Sequence, residues 1–129
     1  MLLIKSLSTT QRAIAIALVS LSALCALTFA TSAQALTLRE MRTLEVSDKQ
    51  GKAFVQYYLI GVLEGVLESN AQSVRAGNKP LFCAEGRRLL PSMARSIYDT
   101  EIKRNAELYE ADMPAQLVMT NALVNAYTC

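Results

Sequence analysis

The stretch QGKAFVQYYLIGVLEGVLESNAQSVRA, Gln50–Ala76, decides the fold. It contains no proline, and its apolar residues fall at Val55, Leu59, Val62, Leu63 and Val66, the three- and four-residue spacing of one helical face. Ile60 and Leu67 widen that face on one side, and Phe54, Tyr58, Gly61 and Gly65 widen it on the other. Only Tyr57, Glu64 and Glu68 make a polar strip. A helix apolar over most of its circumference is either the central member of a bundle or one that also serves a subunit contact. Gly61 and Gly65 lie four apart, and each costs about 1 kcal/mol against alanine in a helix interior. Two explanations are open: tolerated glycines, or a second backbone packed closely against them. The second is the expectation here.

Working outward, Thr37-Leu-Arg-Glu40 fits a capping box, in which the Thr hydroxyl and the Glu carboxylate each satisfy an orphan amide of the first turn. A short helix is predicted from there to about Val46, with Ser47-Asp48 as the cap of the long one. Gly77-Asn-Lys-Pro80 ends the long helix, because glycine or asparagine suits a left-handed cap and Pro80 cannot continue it. Leu81-Phe-Cys83 is expected to enter the next element. Leu90-Pro91 marks a boundary, and a helix is predicted over about 91–103. Asn105–Asp112 reads as a loop. Asp112 and Pro114 then open a last helix as cap and early proline, where Ala115, Met119, Ala122, Leu123 and Ala126 share a face. No segment alternates with period two. The fold class is all-α, a small disulfide-stapled bundle of about four helices.

The first 35 residues set the compartment. MLLIKSLSTTQR carries Lys5 and Arg12 and no acid, and an apolar run of 18 residues follows from Ala13 to Ala30. Ala33 and Ala35 then stand in the Ala-x-Ala arrangement that a signal peptidase reads. The expectation is a cleaved signal peptide over 1–35 and an exported domain over 36–129. Retention of the run as an anchor is the alternative, and both readings send the rest of the chain outward. Cys25 does not suit lipidation, since Ser22 and Leu24 occupy the positions that would need leucine and a small residue.

Residues 36–129 carry 11 Lys and Arg against 11 Asp and Glu, so the formal +2 of the whole chain belongs to the signal. That neutrality gives no support to a nucleic-acid surface or a polybasic membrane anchor, and no nucleic-acid partner and no membrane association after cleavage are expected. Two cysteines remain, Cys83 and Cys129. An even pair in a small exported domain reads as a disulfide. It would close a loop of 46 residues and contribute about 4 kcal/mol in the chain-entropy account.

Chemistry is sparse. The chain has no histidine, which removes imidazole metal sites, His-dependent triads and the commonest general base. Paired cysteines cannot be nucleophiles, and no phosphate loop, calcium loop or nucleophile elbow occurs. Glu64 and Glu68 share a helix face but read as a solvated strip. Arg87-Arg88 could hold a carboxylate and reads more simply as a solvated turn. The expectation is no enzyme, no metal and no cofactor.

YLIGVLEG from Tyr58 to Gly65, FC at Phe82-Cys83, and VMTNALVNAYTC from Val118 to Cys129 together resemble the Rap/Tai family of periplasmic type VI secretion immunity proteins. Tyr58, Gly61, Val62, Gly65, Phe82, Cys83, Ala122, Leu123, Ala126 and Cys129 match its pattern, and Glu64 and Tyr127 are conservative replacements. Val55, Glu85 and Thr128 depart from it, standing where many members have cysteine, proline and proline, and RNAELYEADMP replaces a His-Pro-Glu turn. The resemblance implies a compact helical protein, often a dimer, that binds and blocks a toxic effector of the peptidoglycan amidase class. A small acid-stress chaperone or another envelope binding module is the alternative.

If the helices are committed to the core, binding falls to the loops. Arg75 and Lys79 flank the first loop. The second carries Tyr109 beside Glu107 and Glu110; Tyr109 is either an aromatic anchor for a partner that contributes little to stability, or part of a solvated connection where it merely covers a helix end. Leu117 and Val124 lie seven apart, off the main stripe of the last helix. With the apolar circumference of the long helix, they predict a homodimer.

Overall fold

The computed structural model describes residues 35–84 and 86–129. The expected signal peptide lies outside the described residues, apart from Ala35. Four helices are present among the described residues, α1 (Leu38–Ser47), α2 (Gly51–Arg75), α3 (Ala94–Arg104) and α4 (Ala115–Ala126), with 3-10 turns at Pro91–Met93 and Ala106–Leu108. No strand occurs among the described residues. No helix among them is long and apolar enough to cross a membrane.

The capping box forms as read: the Glu40 amide donates to the Thr37 hydroxyl at 3.2 Å, and the Thr37 amide donates to Glu40 Oε2 at 2.8 Å. The second cap does not form. Asp48 instead closes the turn between helices, its carboxylate accepting the Gln50 amide at 2.6 Å, and the first residue of α2 is a glycine. That glycine has a steric cause. Gly51 is buried, and a Cβ there would overlap the Leu44 carbonyl oxygen of α1. The close approach of two backbones therefore occurs at Gly51. Gly61 and Gly65 are exposed, and among the described residues no atom outside the helix backbone lies within 4 Å of where their Cβ atoms would stand. Among the described residues, the expected close packing at Gly61 and Gly65 does not occur.

Val55, Leu59 and Leu63 of α2 are fully buried, and they meet Leu38 and Met41 of α1, Ala94 and Tyr98 of α3, and Val118, Met119 and Leu123 of α4. Phe54 belongs to the other side and is 54% exposed. At its C-terminal end α2 closes with a left-handed glycine, Gly77 at φ +86°, where the Asn78 amide donates to the Ser73 carbonyl at 3.0 Å and the Gly77 amide to Val74 at 2.9 Å. This is the cap that satisfies the last carbonyls.

The stretch after it was expected to enter a further element and does not. Residues 78–84 and 86–90 have no helix or strand, so their buried backbone needs other partners. Asn70, inside α2, supplies two of them: its Oδ1 accepts the Leu81 amide at 2.7 Å, and its Nδ2 donates to the Phe82 carbonyl at 3.0 Å. Phe82 is thereby held with its ring in the core, 1% exposed.

The predicted helix over 91–103 is α3 with a 3-10 first turn. Arg95 ties it to α1, bonding Glu45 as well as Asp99 at 2.9 Å. The N-terminus of α4 is also capped otherwise than expected. The Leu36 carbonyl takes the Ala115 amide at 3.0 Å, and Asp112 turns to Arg39 at 2.9 Å. An isolated bridge between Thr37 and Pro114 joins the starts of α1 and α4.

Gly51→Ala should lower the free energy of unfolding by about 2 kcal/mol, the cost of forcing apart a packed contact, read from chemical denaturation. An unchanged midpoint would mean that α1 can swing away from Gly51 freely.

Candidate functional site

The irregular connection after α2 and the end of α4 meet at the disulfide. Cys83 and Cys129 are bonded, with Cα atoms 4.8 Å apart and a sequence separation of 46. The Cys83 amide donates to the Tyr127 carbonyl at 2.7 Å, so a backbone bond lies beside the covalent one. Arg87 stacks over the Tyr127 ring at 5.3 Å, a cation–π contact that holds the connection from its other side. Both cysteines are exposed.

Between this fastened segment and the last turns of α2 lies a cleft of about 420 Å³. Leu67, Val74 and Pro80 give it apolar walls, Cys83 closes one end, and Arg75 stands on its rim. Arg75 is exposed and donates to Glu68 at 2.5 Å. This pins the guanidinium while leaving further N–H donors for an acceptor from outside. Glu68 is held below its ordinary carboxylate pKa by hydrogen bonds from Gln72 and then Arg75. Lys79 precedes Pro80 and is exposed. Of the residues expected to meet a partner, Arg75 lines this cleft, and Lys79 is the chain neighbour of Pro80 in its wall.

The second loop is different. Glu107 and Glu110 are exposed, whereas Tyr109 is half-buried and packs against the core. Its hydroxyl donates to Glu101 Oε1 at 2.7 Å and accepts from Asn121 at 3.2 Å. Glu101 is 4% exposed and also accepts from Asn105 at 2.9 Å and Asn125 at 3.1 Å. Burial pushes the Glu101 carboxyl up, but the bonds from Tyr109, Asn105 and Asn125, with the nearby Arg104 charge, bring it on balance below its usual value. Burial and the bond to Glu101 both raise the Tyr109 hydroxyl. The expected protruding anchor is thus a strut between the second loop, α3 and α4.

Sequence reading missed Asn70 and Glu101. Each left a trace: Asn70 is a weak helix former within a long helix, and Glu101 follows Ala94 by seven and Ile97 by four, so it lies on the apolar face of α3. Among the described residues no three Cys, Asp or Glu side chains converge as a metal site. No family model matches this chain, and neither a curated protein nor a solved structure shows significant similarity to it.

Two outcomes follow from this geometry. Removing the disulfide by Cys83→Ala with Cys129→Ala should cost about 2–4 kcal/mol, and a smaller loss would show that Asn70 and the Tyr127 carbonyl hold the connection alone. The second concerns pH. A carboxyl whose pKa is lower folded than unfolded contributes stability that is full above the unfolded value, near 4.5, and is lost as pH falls through the folded one. Glu101, and Glu40 through its bonds from Thr37, both act in this direction. Stability should fall as pH drops below the ordinary carboxylate range. Glu101→Gln should remove about 1–2 kcal/mol at neutral pH and flatten the acid slope, and Tyr109→Ala should lower the melting temperature.

Proposed function

We propose that this protein is an exported binding module of the immunity type, which neutralises a toxic effector, of the peptidoglycan amidase class, by stoichiometric contact in the periplasm. The observation that carries the reading is the cleft beside the disulfide. Leu67, Val74 and Pro80 line it with Arg75, and Cys83 in its lining is fastened by a covalent bond that an oxidising compartment maintains. An inhibitor needs a preformed surface, because each loop ordered on binding subtracts from affinity. The fastened segment meets that need, and Arg75, with Lys79 in the loop just before Pro80, suits an acidic stretch of the effector with one apolar side chain seated between Leu67 and Val74.

The resemblance of YLIGVLEG, Phe82-Cys83 and the final VMTNALVNAYTC to the Rap/Tai pattern supports the same reading and supplies its effector class. In this account the chain acts by binding, without catalysis or cofactor, and meets neither nucleic acid nor membrane once its signal is removed. A second reading, a small acid-stress chaperone, is favoured by the Glu101 cluster, whose bonds weaken on protonation and would loosen α3 from α4 at low pH.

Deletion of the gene should make the source strain sensitive to contact-dependent killing by its parent when both are grown on a surface. The wild-type gene should restore survival, and Arg75→Glu with Lys79→Glu should not, although that variant accumulates folded. Unchanged survival of the deletion strain would overturn the immunity reading. Suppression of client aggregation by the purified protein only at low pH would favour the chaperone in its place.

A further inference from the structure

A second, smaller cleft of about 200 Å³ lies between α3 and α4 and shares no lining residue with the cleft beside the disulfide. Ser96, Thr100 and Arg104 of α3 and Asn125 of α4 line it as exposed residues, and Glu101 joins them from the core.

Glu101 is only 4% exposed, and the three side chains that hold it, Tyr109, Asn105 and Asn125, all donate to the same oxygen, Oε1. Oε2 takes no hydrogen bond from any described residue. A carboxylate accepts on both oxygens, and a charge kept inside for structure alone is compensated best when both are occupied. No buried side-chain polar atom among the described residues lacks a partner, so Oε2 is not sealed in the core. It opens on the cleft that Glu101 lines, and its lone pairs are left to whatever that cleft holds.

The hydroxyls of the wall also face outward as acceptors. Ser96 donates its proton to the Met93 carbonyl at 2.9 Å and Thr100 to the Ser96 carbonyl at 2.6 Å, which leaves each with oxygen lone pairs only. Arg104 is the opposite case. The ion pairs among the described residues engage Arg39, Arg75 and Arg95, so the Arg104 guanidinium keeps its donors for an acceptor from outside.

We propose that this cleft binds a free α-amino acid with a small apolar side chain, its ammonium on Glu101 Oε2 and its carboxylate on Arg104. A buried negative group and an exposed positive one, three residues apart on α3 and so separated by about 4.5 Å of helical rise, select a ligand that carries both charges close together. A simple amine would leave the Arg104 charge unanswered, and a simple acid would meet Glu101, so each is disfavoured by an unpaired charge. The ammonium has three donors, one for Oε2 and others for the hydroxyl oxygens of the wall. Ile97, Ala122 and Ala126 supply the apolar lining. At roughly 30 Å³ per water the space equals about seven waters, which admits a molecule of alanine's size and excludes a nucleotide or a sugar chain.

The test is an amide NMR titration of the protein purified after expression of the full chain, with L-alanine and D-alanine as probes and ethylamine and propionate as single-charge controls. Saturable shifts centred on residues 100–104 and 122–126 are expected, with a dissociation constant of about 1 mM or tighter for at least one enantiomer and at least tenfold weaker binding of both controls. Arg104→Gln should weaken alanine at least tenfold with a nearly unchanged melting temperature. Ala126→Leu, which fills the cleft from an exposed position, should abolish binding in folded protein. Glu101→Gln should abolish it too, and the two variants at exposed positions keep the test independent of the stability that Glu101 contributes. No shift with either enantiomer up to about 20 mM would overturn the proposal. So would binding that Arg104→Gln and Ala126→Leu leave intact, or ethylamine binding as tightly as alanine. Survival in the killing assay reports on the cleft beside the disulfide and is a separate readout.

Discussion

Burial of Val55, Leu59 and Leu63 is the interaction on which this structure rests. The other three described helices each place apolar residues against that stripe of α2. A chain of this size buries too little surface for redundancy, so the remaining features keep partners seated on that stripe. Gly51 lets α1 approach closely. Arg95 holds α3 to α1 through Glu45, and the Leu36 carbonyl closes the start of α4.

The irregular connection between α2 and α3 shows the same economy. A long segment without secondary structure would leave backbone groups unpaired and Phe82 free to leave the core. Asn70 supplies two hydrogen bonds in place of a strand neighbour, the Tyr127 carbonyl supplies one, and the disulfide closes the segment against the tail. A surface built this way is rigid without being helical. That is the physical basis for the proposal that a partner is met at the cleft it borders, since preorganised segments bind with less loss of conformational freedom.

The two acidic loop-side features divide by burial. Glu107 and Glu110 stay in solvent, whereas Glu101 carries its charge inward and is held there by Tyr109, Asn105 and Asn125. A buried carboxylate is tolerable only when its lone pairs are occupied, and no buried side-chain polar atom among the described residues lacks a partner. The cost of this arrangement is commitment: the Tyr109 hydroxyl is occupied by Glu101 and Asn121.

The sequence by itself determined what depends on neighbours within about four residues. The apolar spacing of Val55, Leu59 and Leu63, the capping box of Thr37 and Glu40, the stop at Gly77 and the helix after Pro91 are all local relations, and a linear reading recovers them because helical hydrogen bonds and caps are local. The Cys83–Cys129 pair was legible from its count and the expected export. What only the tertiary structure decided joins distant residues. Asn70 meets Phe82, Arg39 meets Asp112, and Tyr109 turns to Glu101, so Tyr109 stiffens the bundle although its loop position suggested a free anchor. The glycines make the same point. Three of them sit in α2 with similar local chemistry, yet among the described residues only Gly51 stands against another backbone, because its neighbour Leu44 is set by the turn between α1 and α2. Spacing marks a residue as capable of close approach, and only the packing of a second element determines whether anything approaches it.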